Sequence, residues 1–318
     1  MTDPSTAASG AAVSASEFVT GAEHVQTKPG KPRSLASDAW YDLRRRPRFI
    51  ISAALILLVL LMAAWPSLFT SVDPNYADLD RSRLGPSAQA WFGYDNQGAD
   101  IFARTIYGAR ASIVVGISAT VFTVLLGGTL GLLAGYHGGW VDAVMSRVAD
   151  IFFGLPFVLG AIVILSSFRA TGGSSATEIT LLVILSISVL SWPACMRITR
   201  AAAITAKQQD YVKAARALGA STSRIILRHL LPNILAPVLV YATIALGGFI
   251  GAEATLSFLG IGLHAPVVSW GVMIADSRDF LRIAPHTLLF PAAFLTATVL
   301  AFVMLGDAVR EALDPKTR

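Results

Sequence analysis

A chain of 318 residues that is 54% hydrophobic and only 14% charged falls well short of the roughly one quarter of charged residues in soluble globular chains. The missing charge is absent from several long apolar runs, which excludes an ordinary soluble enzyme and marks a membrane protein. The net charge of +5 therefore bears on topology and anionic lipid, and no basic patch interleaved with aromatics suggests nucleic acid.

Residues 1–36 are rich in Ala, Ser, Thr and Gly and read as a disordered cytoplasmic tail. Residues 37–48 read as an interfacial helix: Ser37 and Asp38 cap it, Trp40 and Leu43 form its apolar side, and Arg44, Arg45, Arg46 and Arg48 face headgroups. An unstructured basic flank is the alternative. The first apolar run begins near Phe49, too far in for a cleavable signal.

Six candidate spans follow, at about 49–66, 109–135, 143–168, 178–200, 236–261 and 287–306. Each has the roughly 20 residues a hydrocarbon core demands, and each is expected to be helical, because lipid offers no partner for free backbone groups. The predicted class is an all-α membrane protein. Arginines before the first span, and Lys207, Lys213, Arg216, Arg224 and Arg228 between the fourth and fifth, put both termini in the cytoplasm by the positive-inside rule. Segments 67–108, a short loop near 169–177, and 262–286 are then external, with 201–232 and the tail 307–318 cytoplasmic.

Gly127, Gly131 and Gly135 recur every four residues in the second span, and Gly247 and Gly251 do so in the fifth. Such stripes let helix backbones approach closely. Pro193 and Pro291 are positioned to kink their helices. The lone cysteine, Cys195, excludes an intrachain disulfide and reads as a buried, inert thiol.

The stretch Asp210–Gly219 reads as a short helix. Asp210 is a suitable N-cap, Gly219 a suitable terminator, and Tyr211, Ala214, Ala215 and Leu218 follow the spacing of one apolar face. Ser221 can cap a second helix through about Leu231, and Pro232 begins the approach to the fifth span. An amphipathic helix here either lies on the protein's own surface or lipid, or docks into a partner; the paired alanines favour docking.

The run DYVKAARALGASTSRIILRHLLPN resembles the cytoplasmic signature loop of bacterial ABC importer permeases, with Ala214, Ala215, Gly219, Leu231 and Pro232 at the family spacing. Lys213 stands where Glu is usual and His229 where Ile is usual, so a salt bridge made by that Glu does not transfer. WFGYDNQGADIFARTIYGARASI, DAVMSRVADIFFGLP, IGAEATLSFLGIGLHAPVVSWGVMI and GDAVREALDPKTR resemble further segments of the dipeptide and oligopeptide branch. In the first of these Tyr94 replaces a common Thr and Ala99 a common Arg. The resemblance covers about residues 40–318.

What the resemblance implies is a type I ABC importer permease: six transmembrane helices with a cytoplasmic coupling helix. It implies a second permease as partner, two ATPase subunits or one fused chain on the cytoplasmic side, and an extracytoplasmic solute-binding protein. This chain lacks GxxxxGK[ST], so it cannot be the ATPase by that route; the resemblance implies no cofactor on this chain and places ATP and Mg on the partner ATPases. The substrate is expected to be a dipeptide or oligopeptide, with a nickel chelate or haem as the alternative. Residues 210–219 would transmit ATP-driven closure to the spans in an alternating-access cycle.

Glu253, alone in an apolar run, is expected to line the path, to meet the partner permease, or to make a structural hydrogen bond. Asp150 shares the first two candidacies, and an ion pair with Arg147 is its plainer reading. Trp270, Asp276, Arg278 and Asp279 are expected to meet the binding protein. An intramembrane enzyme is disfavoured: there is no HExxH or GxSxG, and the five histidines are scattered. A passive scaffold or channel is the remaining rival.

Overall fold

A computed structural model of the chain describes residues 43–169 and 175–313. The tail 1–36, positions 37–42 of the expected interfacial helix, and 314–318 lie outside the described residues. Leu43 is buried beside Ala308, Ala312 and Phe49, so it packs on protein and does not turn to lipid.

The described residues are helical apart from loops and two isolated β-bridges. In chain order the helices are α1 (Pro47–Ala64), α2 (Ile101–His137), α3 (Gly139–Gly154), α4 (Phe157–Arg169), α5 (Ala176–Lys207), α6 (Asp210–Ala217), α7 (Leu231–Phe258), α8 (Trp270–Ser277) and α9 (His286–Leu313). Among the described residues five helical runs are long and apolar enough to cross a membrane, and α3 with α4 makes a sixth if the bent pair is one span. Large apolar side chains such as Ile50, Leu57, Leu125, Val163 and Leu239 are exposed along them. Such surfaces are stable against lipid and not against water.

The spans alternate, so the molecule has two ends. One carries 43–46, the α2–α3 turn and the α5–α7 connection; the other carries 65–100 and 259–285.

Three elements differ from expectation. The third span, expected to be continuous, bends by 91° between α3 and α4. Pro156 is the cause: it forces Leu155 out of the helical region, to φ −88° and ψ 120°. The second span starts at Ile101, because Asp100 accepts the Ala103 N–H at 2.9 Å and caps the helix ahead of its apolar stretch. The C-terminal tail expected from 307 continues as helix to Leu313.

Packing centres on α2 against α5. A Cβ on Gly127 would lie 2.4 Å from the Trp192 carbonyl oxygen, one on Gly131 2.4 Å from that of Met196, and one on Gly135 2.7 Å from the Ala203 Cβ. The stripe is thus a backbone-to-backbone contact that any side chain would wedge open. A Cβ on Gly247 would lie 3.0 Å from the Val299 carbonyl oxygen, but one on Gly251 would meet open space. Helix ends are tied by cations. Arg110 donates to the carbonyls of Ala63 and Ala64 at the end of α1, and Lys207 to those of Gly135 and Tyr136 at the end of α2.

Candidate functional site

The α5–α7 connection is built from a turn whose two ends are fixed differently. Asp210 is not the N-cap. Gln209 holds that position in extended conformation, and Asp210, now the first helical residue, accepts from Lys213 Nζ at 2.9 Å. The charge reversal at Lys213 is thus met within the helix. The C-terminus is a Schellman turn. Gly219, at φ +76°, donates to the Arg216 carbonyl and Ala220 donates to that of Ala215, both at 3.0 Å.

Val212 is the buried residue of α6, packed with Leu132, Ala203, Ala206, Ile225, Leu230 and Ile234. The face read from sequence looks outward instead: Tyr211 and Ala214 are exposed, Ala215 is half-buried, and Leu218 is 88% exposed. Ser221 accepts the Arg224 N–H and starts the run Thr222–Phe258. Within it Ile225–Leu230 is π-helical, immediately before Leu231 and Pro232. Pro232 has no N–H for an α-type bond, and the wider turn accommodates that loss.

Glu253 is fully buried. Its Oε1 accepts from the hydroxyls of Ser257 and Ser269, both at 2.9 Å, and its Oε2 from Ser112 at 3.2 Å. Of the three readings of Glu253, path, partner interface and structural hydrogen bond, the last is the one its surroundings within this chain supply. The expectation for Trp270 is corrected. It is fully buried, with Nε1 donating to the Thr105 carbonyl at 2.9 Å, and presents nothing to a binding protein.

Asp276 is at the surface, and Arg278 and Asp279 are exposed 3.6 Å from each other. Partial burial of the Asp276 carboxyl raises it above the ordinary carboxylate range; Arg104 opposes and Asp95 reinforces the shift. Asp150 accepts from Arg197 of α5 at 2.8 Å and has Arg147 of its own helix at 3.7 Å. Asp142, a residue the sequence reading passed over, pairs through both carboxylate oxygens with Arg200. Both pairs join α3 to α5.

At the α3–α4 bend lies a cleft of about 490 Å³, lined among others by Phe152, Phe153, Ser191, Tyr241, Gly248 and Phe249. Among the described residues no three His, Cys, Asp or Glu side chains gather as a metal site, and Cys195 is buried and free.

Residues 127–318 match the binding-protein-dependent transport system inner membrane components, and 34–86 match the N-terminal transmembrane domain of oligopeptide transport permease C. The chain belongs to this permease family. The ABC permease relatives include a dipeptide transport system permease of Alkalihalophilus pseudofirmus, 40% identical over 88% of this chain and 90% of the relative. A glutathione transport system permease of Pectobacterium atrosepticum is 37% identical over 88% and 90%, and that of Escherichia coli O157:H7 is 38% identical over 92% and 94%. Among solved structures, the inward-facing MetNI methionine ABC transporter aligns with TM-score 0.53 and 19% identity over 66% of this chain and 96% of that one. The fold is that of a type I ABC importer permease. This chain is an inner-membrane permease subunit and not an enzyme.

Proposed function

We propose that this permease, with a second one, forms a path for dipeptides or short oligopeptides driven by ATPases docked on α6. The peptide assignment rests on the relatives, which are named as dipeptide and glutathione permeases. The coupling assignment is carried by the face of Tyr211, Ala214 and Leu218, held outward by the buried Val212. Leaving a leucine side chain uncovered forgoes about 1.5–3 kcal/mol of burial, so a docked groove is its natural cover. Both termini and α6 then lie in the cytoplasm. ATP and Mg are held by the ATPases. The segment with Asp276, Arg278 and Asp279 faces an extracytoplasmic binding protein, and a second permease packs beside the spans. The cleft of Tyr241 and Ser191 is a candidate stretch of the path, and Asp150 serves as a strut between α3 and α5 at its edge.

The test is ATP hydrolysis by the reconstituted complex with and without binding protein and peptide. Gly219→Pro cannot keep φ +76° or donate to Arg216, and is expected to abolish stimulation. Leu218→Asp leaves the fold alone, because the side chain is exposed, and is expected to weaken ATPase retention at least tenfold. Full stimulation in both variants would mean that α6 is not the coupling element.

A further inference from the structure

The three hydroxyls on Glu253 are not equivalent to three separate bonds. Each is also an acceptor, and each accepts a backbone N–H from the same stretch of chain. Ser257 Oγ accepts from Leu263 N at 3.0 Å, Ser112 Oγ from Trp270 N at 3.3 Å, and Ser269 Oγ from Val272 N at 3.2 Å. The carboxyl group is therefore the hub of three relays, N–H to hydroxyl to carboxyl oxygen. All three end on residues 263–272, the stretch that leaves α7 and enters α8. One hub on α7 thus orients the donors of a whole loop, with α2 contributing Ser112.

Packing around the hub leaves no slack. A Cβ on Gly271 would lie 2.6 Å from the Ala254 Cα, and one on Gly262 2.4 Å from the Ser257 backbone nitrogen. Trp270 is buried against Ile101, Ile106, Ala109 and Ile250. Polar relays inside such a dry contact hold one geometry, since any displacement strands a buried donor.

The helix bearing the hub belongs to the same helical run, Thr222–Phe258, that begins beside α6. We propose that Glu253 is a positioning residue that locks residues 263–277 to α7, so that α7 and α8 travel as one body when the α6 end is moved. This rests on the reading of α6 as the coupling element. It makes α8 a rigid extension of the coupling rod and not an independent lid.

Substitution at the hub has an asymmetric consequence. In Glu253→Gln one oxygen still accepts from Ser257 and Ser269, but the amide nitrogen faces Ser112. That hydroxyl must then take a second donor besides Trp270 N, and its own proton loses its acceptor. The link between residue 253 and Ser112 is thus reversed and left with an unpaired hydroxyl proton, while the other two relays persist. Glu253→Ala releases all three.

The decisive experiment uses the otherwise wild-type complex with spin labels at Leu259→Cys, just past α7, and Asp276→Cys, at the end of α8, both exposed positions, and a third label on the partner permease. Pulsed distance measurements compare nucleotide-free and ATP-trapped states. The internal distance is expected to stay constant while both labels change their distance to the partner permease. An internal distance that changes with nucleotide, or labels that do not move at all, would overturn the proposal even if the ATPases bind and hydrolyse normally. In the variants, basal hydrolysis is expected to stay within twofold of wild type. The increment due to binding protein is expected to fall at least fivefold in Glu253→Ala, with Glu253→Gln between, and the internal distance distribution to broaden in the same order. Variants that fold and keep a sharp distance and full stimulation would also overturn it.

Discussion

Asp276 stands where α8 ends, beside the Arg104–Asp95 ion pair. Its carboxyl is raised because burial and Asp95 outweigh the attraction of Arg104. A raised carboxyl binds its proton more tightly in the folded state than in the unfolded one. Stability is therefore reduced above the folded pKa, and it is regained as pH falls through that value towards the ordinary carboxylate range. Asp276→Asn is expected to melt slightly higher than wild type at pH 7.5. It should also lack the wild type's rise in melting temperature on mild acidification, as thermal unfolding in detergent would record. At this scale the sequence was least legible. Glu253 was recognisable as unusual, but Ser112, Ser257 and Ser269 are separated by up to 157 positions in the chain. Nothing local announces that they converge. Trp270 lies in a segment rich in polar residues, and burial by α2 and α7 was invisible from its neighbours. The outward face of α6 was legible because its spacing is local, whereas the anchoring role of Val212 depends on residues as distant as Leu132 and Ile234.

Elements were read more faithfully, because apolar length is written in contiguous residues. Boundaries shifted where a cap or a proline lies just outside the apolar stretch, as with Asp100 before α2 and Pro156 between α3 and α4. The glycine stripes illustrate both success and limit. Period four identified Gly131 and Gly251 alike, but only a partner helix distinguishes them. Gly131→Ala would set a methyl 2.4 Å from the Met196 carbonyl, an overpacking that costs about 1–3 kcal/mol. Gly251→Ala meets nothing within 4 Å and gains about 1 kcal/mol of helix propensity. Unfolding in a graded denaturing detergent should show the first destabilised and the second neutral or better.

For the whole molecule, alternation of the spans ties the sidedness of every loop to one assignment. Trp140, beside the α2–α3 turn, and Trp91, in the segment 65–100, are exposed at opposite ends, and Cys195 is buried. Trp91→Cys should react with a membrane-impermeant maleimide on intact cells, and Trp140→Cys only after permeabilisation. The reverse pattern would invert the topology proposed for α6. Charge distribution is the sequence feature on which this assignment of sides rests. The 91° bend is not legible in composition, which makes residues 143–168 look like one straight span.

The spans are also unequal in length. α2 has 37 residues, about 55 Å at the α-helical rise, whereas α1 has 18, about 27 Å, against a hydrocarbon core of about 30 Å. Arg46 and Arg48 at one end of α1 and Trp65 at the other leave it nothing to lend. In a thicker bilayer the long helices accommodate by standing more upright, while lipid must thin around α1. Among the unbroken spans of the described residues α1 is the shortest, so acyl-chain length becomes a variable to which this subunit responds at α1 before its longer helices.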